Sequence, residues 1–422
     1  MTTVNPSLPL RGVRVVDFSW IVAGPQATRI LADLGADVVR VEYDGRVDSV
    51  RLGNPAPEAP RGSLNHSGMF SNFNRNKRSV NLNIRHPEAI ALLHDLIRVS
   101  DVVIENFSAG VLESWGLSFA EMQRLNPAII YVSLSGFGHL GRDRAYVTWG
   151  PTAQAVSGLT AMSGLPGAPP AGWGFSYLDH TAGYYGALAI QMALYHRARS
   201  GEGQYVDIAQ VETGIVLAGT EILDYTVNGR GYLESGGPPG NHARVPEIAP
   251  HNTYRCRGDD PDVPGSGRWV TIVCETEAHW DALCSVMGDP AWTREERFRT
   301  NAARFANQDA LDAQIEAWTR ALDRYDVMYL LQSAGIPAGV VQTARDRQER
   351  DPQLHARGFY ATADHAALGP HAYEGIPVQF SRTPWQIRRG APLLAEHNIE
   401  VYGDLLGRSD AELRQLADEL AI

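Results

Sequence analysis

Val13-Arg-Val-Val-Asp-Phe18, a run from Pro25 to Leu34 with apolar residues at helical spacing, Gly35, and Val38-Val-Arg-Val-Glu42 follow one another near the start of the chain. The two β-branched runs read as short buried strands. The segment between them reads as a helix, with Pro25 suited to its first turn and Gly35 to its end. Strand, helix and strand in so short a span make a βαβ unit, and such units build parallel sheets covered by helices. The loop after the first strand, Ser19-Trp-Ile-Val-Ala-Gly24-Pro25, carries one glycine where a dinucleotide fingerprint needs three at fixed spacing, which rejects NAD binding by that motif.

The alternation continues down the chain. A helix from about Pro87 to Val99 precedes the buried-type strand Asp101-Val-Val-Ile-Glu105, and Ser118 with Glu121 forms a capping box for a short helix ending near Leu125. Ile129-Ile-Tyr-Val-Ser-Leu134 is a further strand. An amphipathic helix from about Thr181 to Arg199 carries Tyr184, Leu188, Met192 and Tyr195 on related turns, and the strand Tyr205-Val-Asp-Ile-Ala209 leads into a helix from Val211 to Tyr225. In open α/β sheets ligands sit beyond the carboxyl ends of the strands. Loops 19–25, 105–110 and 135–150 are therefore the expected pocket walls, which makes candidates of Val22, Ala23, Asn106 and Phe107.

Gly229 to Pro250 carries five glycines and four prolines and marks a domain crossing. The expected fold class is α/β: a Rossmann-like parallel-sheet large domain plus a smaller α+β domain. Residues 1–228 form the N-terminal part of the large domain, 229–334 the small domain with its linkers, and 335–422 return to the large domain through Gly335-Ile-Pro-Ala-Gly-Val-Val341.

A net charge of −11 argues against a nucleic-acid partner. No basic leader or long apolar run is present, so the expected location is cytoplasmic, away from membranes. Lys77 is the sole lysine and sits in an Asn/Arg-rich stretch, which disfavours Schiff-base chemistry. The three cysteines and 13 histidines lack metal-ligand spacing, so neither a metal nor a tightly bound cofactor is expected. The most suggestive stretch is Trp173-Gly-Phe-Ser-Tyr-Leu-Asp179-His180, which places a carboxylate at the mouth of a helix among free backbone N–H groups. An ordinary aspartate N-cap has the same signature.

Read together, Leu10-Arg-Gly-Val-Arg-Val-Val-Asp-Phe18 with Ala23-Gly-Pro25, Leu34-Gly-Ala-Asp-Val-Val-Arg-Val-Glu42, Asn74-Arg-Asn-Lys-Arg-Ser79, Val103-Ile-Glu-Asn-Phe107, Ser133-Leu-Ser-Gly-Phe-Gly138, Asp179 with Gly183, and Ala334-Gly-Ile-Pro-Ala-Gly339 form an ordered series. The chain resembles the class III CoA-transferase family, which also contains α-methylacyl-CoA racemases, over nearly its whole length. The resemblance implies two-domain subunits interlocked as a homodimer, a heteromer with a related subunit being the alternative. It also implies a coenzyme A thioester as substrate and a free carboxylic acid as partner in exchange. Asp179 matches the nucleophile of the transferases, which carries first a mixed anhydride and then an aspartyl-CoA thioester.

Arg75, Asn76, Lys77 and Arg78 match the block expected near the CoA phosphates, with Arg40 and Arg98 as further cations, and Tyr43 stands where relatives carry an arginine beside the adenine. Gly236 and Gly237 match a mobile glycine loop. Trp149 occupies the position of the racemase histidine, which favours transfer over racemisation, although His139 and His180 keep the alternative open. Intramolecular transfer within a dicarboxylic acid mono-CoA ester would use the same aspartate. A non-catalytic scaffolding subunit would be expected to lack it. Trp20, Trp149 and Trp173, with Phe175 and Tyr177, point to a bulky or aromatic acid if they line one pocket.

Overall fold

The strands of the first half of the chain form one six-stranded, wholly parallel sheet in a computed structural model that describes residues 8–174, 176–233, 236–259 and 266–422. The elements are β1 (Arg14–Asp17), α1 (Ala23–Asp33), β2 (Asp37–Glu42), α2 (Gly68–Asn74), β3 (Arg78–Asn81), α3 (Pro87–Arg98) and β4 (Val102–Glu105). After them come α4 (Val111–Ser114), α5 (Phe119–Leu125), β5 (Ile130–Ser135), α6 (Gly150–Val156), α7 (Tyr177–Ser200), β6 (Tyr205–Ala209) and α8 (Gln210–Leu217). Strand order is β3-β2-β1-β4-β5-β6. The chain winds outward from β1 through β2 to β3, then returns to β4 and winds the other way, so the β1/β4 boundary is a topological switch point.

Successive strand residues point to opposite faces. Val16, Val39, Val103 and Tyr131 join a core with α3 and with Val401, Tyr402 and Leu413 from the far end of the chain. Val15, Val38, Val102 and Ile130 join a second core with Ile30 and Leu31 of α1 and Ala187, Ile190 and Ala193 of α7. Strands covered on both faces lose polar alternation, which is why they read as uninterrupted apolar runs. β3 escaped that reading because it is an edge strand whose sequence, Arg-Ser-Val-Asn, has one apolar residue.

α7 corrects the expected amphipathic helix. Its buried residues are mostly small, Ala182, Gly183, Gly186, Ala187 and Ala193 beside Leu178 and Ile190, while Tyr184, Leu188, Met192 and Tyr195 are exposed. A Cβ on Gly183 would lie 2.6 Å from Gln26 Cγ and 2.8 Å from the Ala23 carbonyl oxygen, so α1 and α7 approach closely only because glycine is there. The expected helix 211–225 is two helices, α8 and α9 (Gly219–Asn228), broken at Ala218.

The chain divides into two compact units. The first holds the chain up to Thr160, Gly172–Leu223 and Gln353–Ile422; the second holds Ala161–Ala171 and Asp224–Pro352. In the second unit β7 (His251–Arg255), β8 (Trp269–Val273) and β9 (Ala338–Val340) form an antiparallel sheet over a core that buries Tyr254, Trp280 and the three free cysteines. Residues 335–341 therefore do not open the return to the large sheet. Val340 pairs with Val270 and Ala338 with Ile272, because a three-residue strand carries no mark of its partner, and the first unit resumes at Gln353. In the first unit β10 (Tyr360–His365) and β11 (Gly369–Glu374) make an antiparallel hairpin. No helix among the described residues is long and apolar enough to cross a membrane.

Candidate active site

The carboxyl ends of β1, β4 and β5 open onto a cavity of about 220 Å³ in the first unit. Val22 and Ala23 line it after β1, Asn106, Phe107 and Ser108 after β4, and Ser135 at the end of β5 with Gly136 beyond it. The side chain of Asn106 ties the first two loops together: Trp20 N–H donates to its Oδ1 at 2.7 Å, and its Nδ2 donates to the Trp20 carbonyl at 2.8 Å. Ile21, next along, has φ of 64°, a costly conformation for a β-branched residue. Its N–H donates to Asp48 Oδ2 at 3.0 Å, which holds the strained turn against the cavity.

Asp179 enters this cavity from α7, and Gln210 enters it from the start of α8. The carboxylate is the third residue of the helix rather than its cap, because α7 starts at Tyr177, with Ser176 as the N-cap residue at φ of 42°. Gln210 Nε2 donates to Asp179 Oδ1 at 2.7 Å. A Cβ on Gly150 would stand 3.2 Å from Asp179 Oδ2, so the first residue of α6 leaves the second oxygen its space. Burial raises the Asp179 carboxyl above the usual carboxylate range, opposed by the hydrogen bond from Gln210 and by the Ser176 side chain.

Arg144, Tyr146, Thr148 and Trp149 complete the wall, and Arg144 is the one cation among the described residues lining it. Gln210 and Arg144 were not singled out in the sequence. Gln210 is signalled by nothing nearer than its place directly after the last ladder residue of β6, and Arg144 lies inside the 135–150 loop already expected to form the site.

Val22, Ala23, Asn106, Phe107, Trp149 and Asp179 thus come together. The basic string does not join them. Arg75 is fully buried with its Nη2 2.7 Å from Asp33 Oδ2, and Arg78 pairs with Asp37. Asn76, at φ of 63°, donates to Asp33 and to the Gln386 carbonyl. Lys77 Nζ lies 3.0 Å from Asp17 Oδ2 and also bonds the Asn74 side chain, and burial lowers its pKa to about 8. Carboxylates of the same chain already neutralise these cations. Arg40 is likewise buried against Asp48 and Glu42, and Arg98 pairs with Asp95 on the surface.

Tyr43 is half-buried outside the cavity lining. Trp20 packs edge-on to Phe107, with ring centroids 5.7 Å apart, and Trp173 packs on Tyr177 at 4.9 Å; neither lines the cavity. Of the three tryptophans only Trp149 does, and Phe175 lies outside the described residues. Gly236 and Gly237 belong to the second unit, with φ of 102° and 67°.

Neither candidate histidine lines the cavity. His180 packs against Phe73, with ring centroids 5.6 Å apart, and His139 lies 3.5 Å from Glu105 behind the Phe107 loop. Glu105 is fully buried, receives the Phe107 N–H at 2.7 Å and the Tyr131 hydroxyl at 3.1 Å, and has its pKa pushed up to about 8 by burial. Among the described residues no group of three or more His, Cys, Asp or Glu side chains is placed to hold a metal ion.

Residues 10–398 match the sequence model of CoA-transferase family III. The chain belongs to that family. It is 33% identical over 419 residues to a succinyl-CoA–D-citramalate CoA-transferase of Chloroflexus aurantiacus, covering 99% of this chain and 98% of the relative. It is 31% identical to a succinate–glutarate CoA-transferase of Agrobacterium fabrum, covering 95% and 96%. Among solved structures, a CAIB/BAIF family protein from Brucella suis superposes with a TM-score of 0.84 at 31% identity, over 94% of this chain and all of that one.

Proposed function

We propose that this CoA-transferase moves CoA from an acyl-CoA to a free carboxylic acid through covalent intermediates on Asp179. The carboxylate attacks the donor thioester carbonyl, CoA leaves as its thiolate, and a mixed anhydride forms. The thiolate then attacks Cγ of Asp179, the donor acid leaves as a carboxylate, and an aspartyl-CoA thioester remains. The acceptor carboxylate runs the same steps in reverse and departs as its CoA ester. Thioester and anhydride have similar acyl-transfer potential, so the bond energy passes between acids provided water is kept out.

The observation that carries this reading is the Asp179 carboxylate in the cavity at the ends of β1, β4 and β5, hydrogen-bonded to Gln210. Val22, Ala23, Asn106 and Phe107 would form the CoA wall, with N–H groups of the first turn of α1 facing the developing charge on the donor carbonyl. Arg144 would meet an anionic group of either substrate. With Trp20 and Trp173 off the cavity, the argument for a bulky acid is reduced to Trp149 beside Phe107 and Tyr146. The names of the two relatives favour a short dicarboxylic acid. The exposed apolar row on α7 supports association of two copies, interlocked as the resemblance implies, and we place the enzyme in the cytoplasm.

The test is incubation with acyl-CoA and no acceptor, trapping with hydroxylamine or borohydride, and peptide mass analysis. A mass change on the peptide containing Asp179 is the expected result. Solvent deuterium at the substrate Cα without any adduct would replace this mechanism by racemisation.

A further inference from the structure

Gln210 is placed by the sheet rather than by a flexible loop. Ala209, the residue before it, ends the parallel ladder with Ser135; Val211 N–H donates to the Gly136 carbonyl at 3.0 Å; and Thr213 Oγ1 donates to the Gln210 carbonyl at 2.8 Å. The side chain is buried, and its Nε2 lies 2.7 Å from Asp179 Oδ1, while Oδ2 is the oxygen beside Gly150. The two oxygens are thus differentiated: Oδ1 is held by the Gln210 N–H donor, and Oδ2 is the oxygen assigned here to the attack.

We propose that Gln210 is the oxyanion donor for the two steps in which Asp179 Cγ itself is attacked, an inference that rests on Asp179 being the nucleophile. Once Oδ2 has bonded to the donor acyl carbon, Oδ1 is the aspartyl carbonyl oxygen. When the CoA thiolate bonds to Cγ, the carbonyl π pair moves onto Oδ1. Collapse re-forms the carbonyl and breaks the Cγ–Oδ2 bond, and the donor carboxylate departs with Oδ2. Attack of the acceptor carboxylate on the aspartyl-CoA thioester again puts the negative charge on Oδ1, with CoA thiolate as the leaving group. A fixed donor within hydrogen-bond reach of Oδ1 stabilises both tetrahedral states more than the uncharged carbonyl that precedes each, which is the condition for acceleration. The first and last steps place their charge on the substrate acyl oxygen rather than on Oδ1, the atom to which Gln210 donates.

The steps can be separated by rapid quench of the full-length enzyme with donor acyl-CoA alone, following released CoA thiol and the CoA-bearing Asp179 peptide. Gln210→Met keeps the length and removes the donor; Gln210→Leu removes it with a different shape and no added charge, so one informative variant remains if the other fails to fold. Both are expected to release thiol at close to the wild-type rate and to form the CoA-bearing peptide roughly 10²- to 10³-fold more slowly, the cost typical of one lost oxyanion donor. Formation of that peptide at the wild-type rate, or equal slowing of both steps as a merely structural role would give, overturns the assignment. If the wild-type enzyme forms no adduct on Asp179 at all, it is the nucleophile reading that fails, whatever the variants do.

Discussion

Asp179 and Gly150 show how little room surrounds the proposed nucleophile. Gly150 opens α6 with a backbone that any residue can adopt, so Gly150→Ala introduces no φ strain; its one consequence is a Cβ 3.2 Å from Asp179 Oδ2. Turnover should fall roughly ten- to hundredfold, because small displacements of reacting groups are costly, while stability stays within about 0.5 kcal/mol. Steady-state kinetics beside thermal unfolding checks both halves. Asp179→Ala should abolish turnover with a stability change of about 1 kcal/mol or less, since a carboxylate in a first helical turn contributes no more than that. The raised carboxyl pKa adds a pH signature: if Asp179 is the nucleophile as proposed, its ionised form is lost at a higher pH than an ordinary carboxylate's would be, so kcat/KM should decline on acidification well before the enzyme unfolds. Glu105 behaves in the same sense but acts on stability. Its folded pKa of about 8 exceeds the ordinary 4.5, so between those values the folded state holds a proton that the unfolded state has released. Stability must therefore fall as pH rises through that window. Glu105→Gln should flatten the decline and leave the protein more stable at pH 8 than the wild type, as urea unfolding at several pH values would reveal.

At the scale of elements, the crossing of α1 and α7 delivers both walls of the site, since α1 begins at the cavity-lining Ala23 and α7 carries Asp179 in its first turn. Gly183→Ala forces a methyl group toward the Ala23 carbonyl oxygen, 2.8 Å away, and backbone cannot step aside as a side chain can. The expected result is a loss of about 1–3 kcal/mol from overpacking, with a raised KM for acyl-CoA as the Val22–Ala23 turn shifts; a variant with unchanged Tm would refute the close contact. Such contacts were only partly legible in advance. The buried strands β1, β2, β4 and β5 announced themselves as apolar runs, and the rule about carboxyl ends placed Val22, Ala23, Asn106 and Phe107 correctly at the cavity. The pairing of the basic string was not legible, because a run of cations carries no record of the carboxylates that will neutralise it: Asp17, Asp33 and Asp37 all come from the preceding βαβ unit. Gln210 was invisible for a related reason, since only the β5–β6 pairing brings it to Asp179.

For the whole molecule, the telling feature is the outward face of α7. Tyr184, Tyr185, Leu188, Met192 and Tyr195 are between 40% and 64% exposed, and Val216, Ile222 and Leu223 add to the apolar surface of the same unit. Periodicity alone put Tyr184, Leu188, Met192 and Tyr195 on related turns without saying what they face, because a helix apolar on both sides offers no pattern that separates core from interface. Burying a large aliphatic or aromatic side chain is worth about 1.5–3 kcal/mol, and contiguous exposed apolar surface of this kind marks a site of association. A second copy of the chain is the occupant proposed here. Sedimentation velocity should give a dimer at micromolar concentration, with a Tm that rises with protein concentration as linkage between folding and assembly requires. Replacing Leu188 and Met192 together by glutamate puts two charges into that contact and should yield monomer or unfolded chain, whereas a wild-type protein that sediments as a monomer with a concentration-independent Tm would leave the row as ordinary surface.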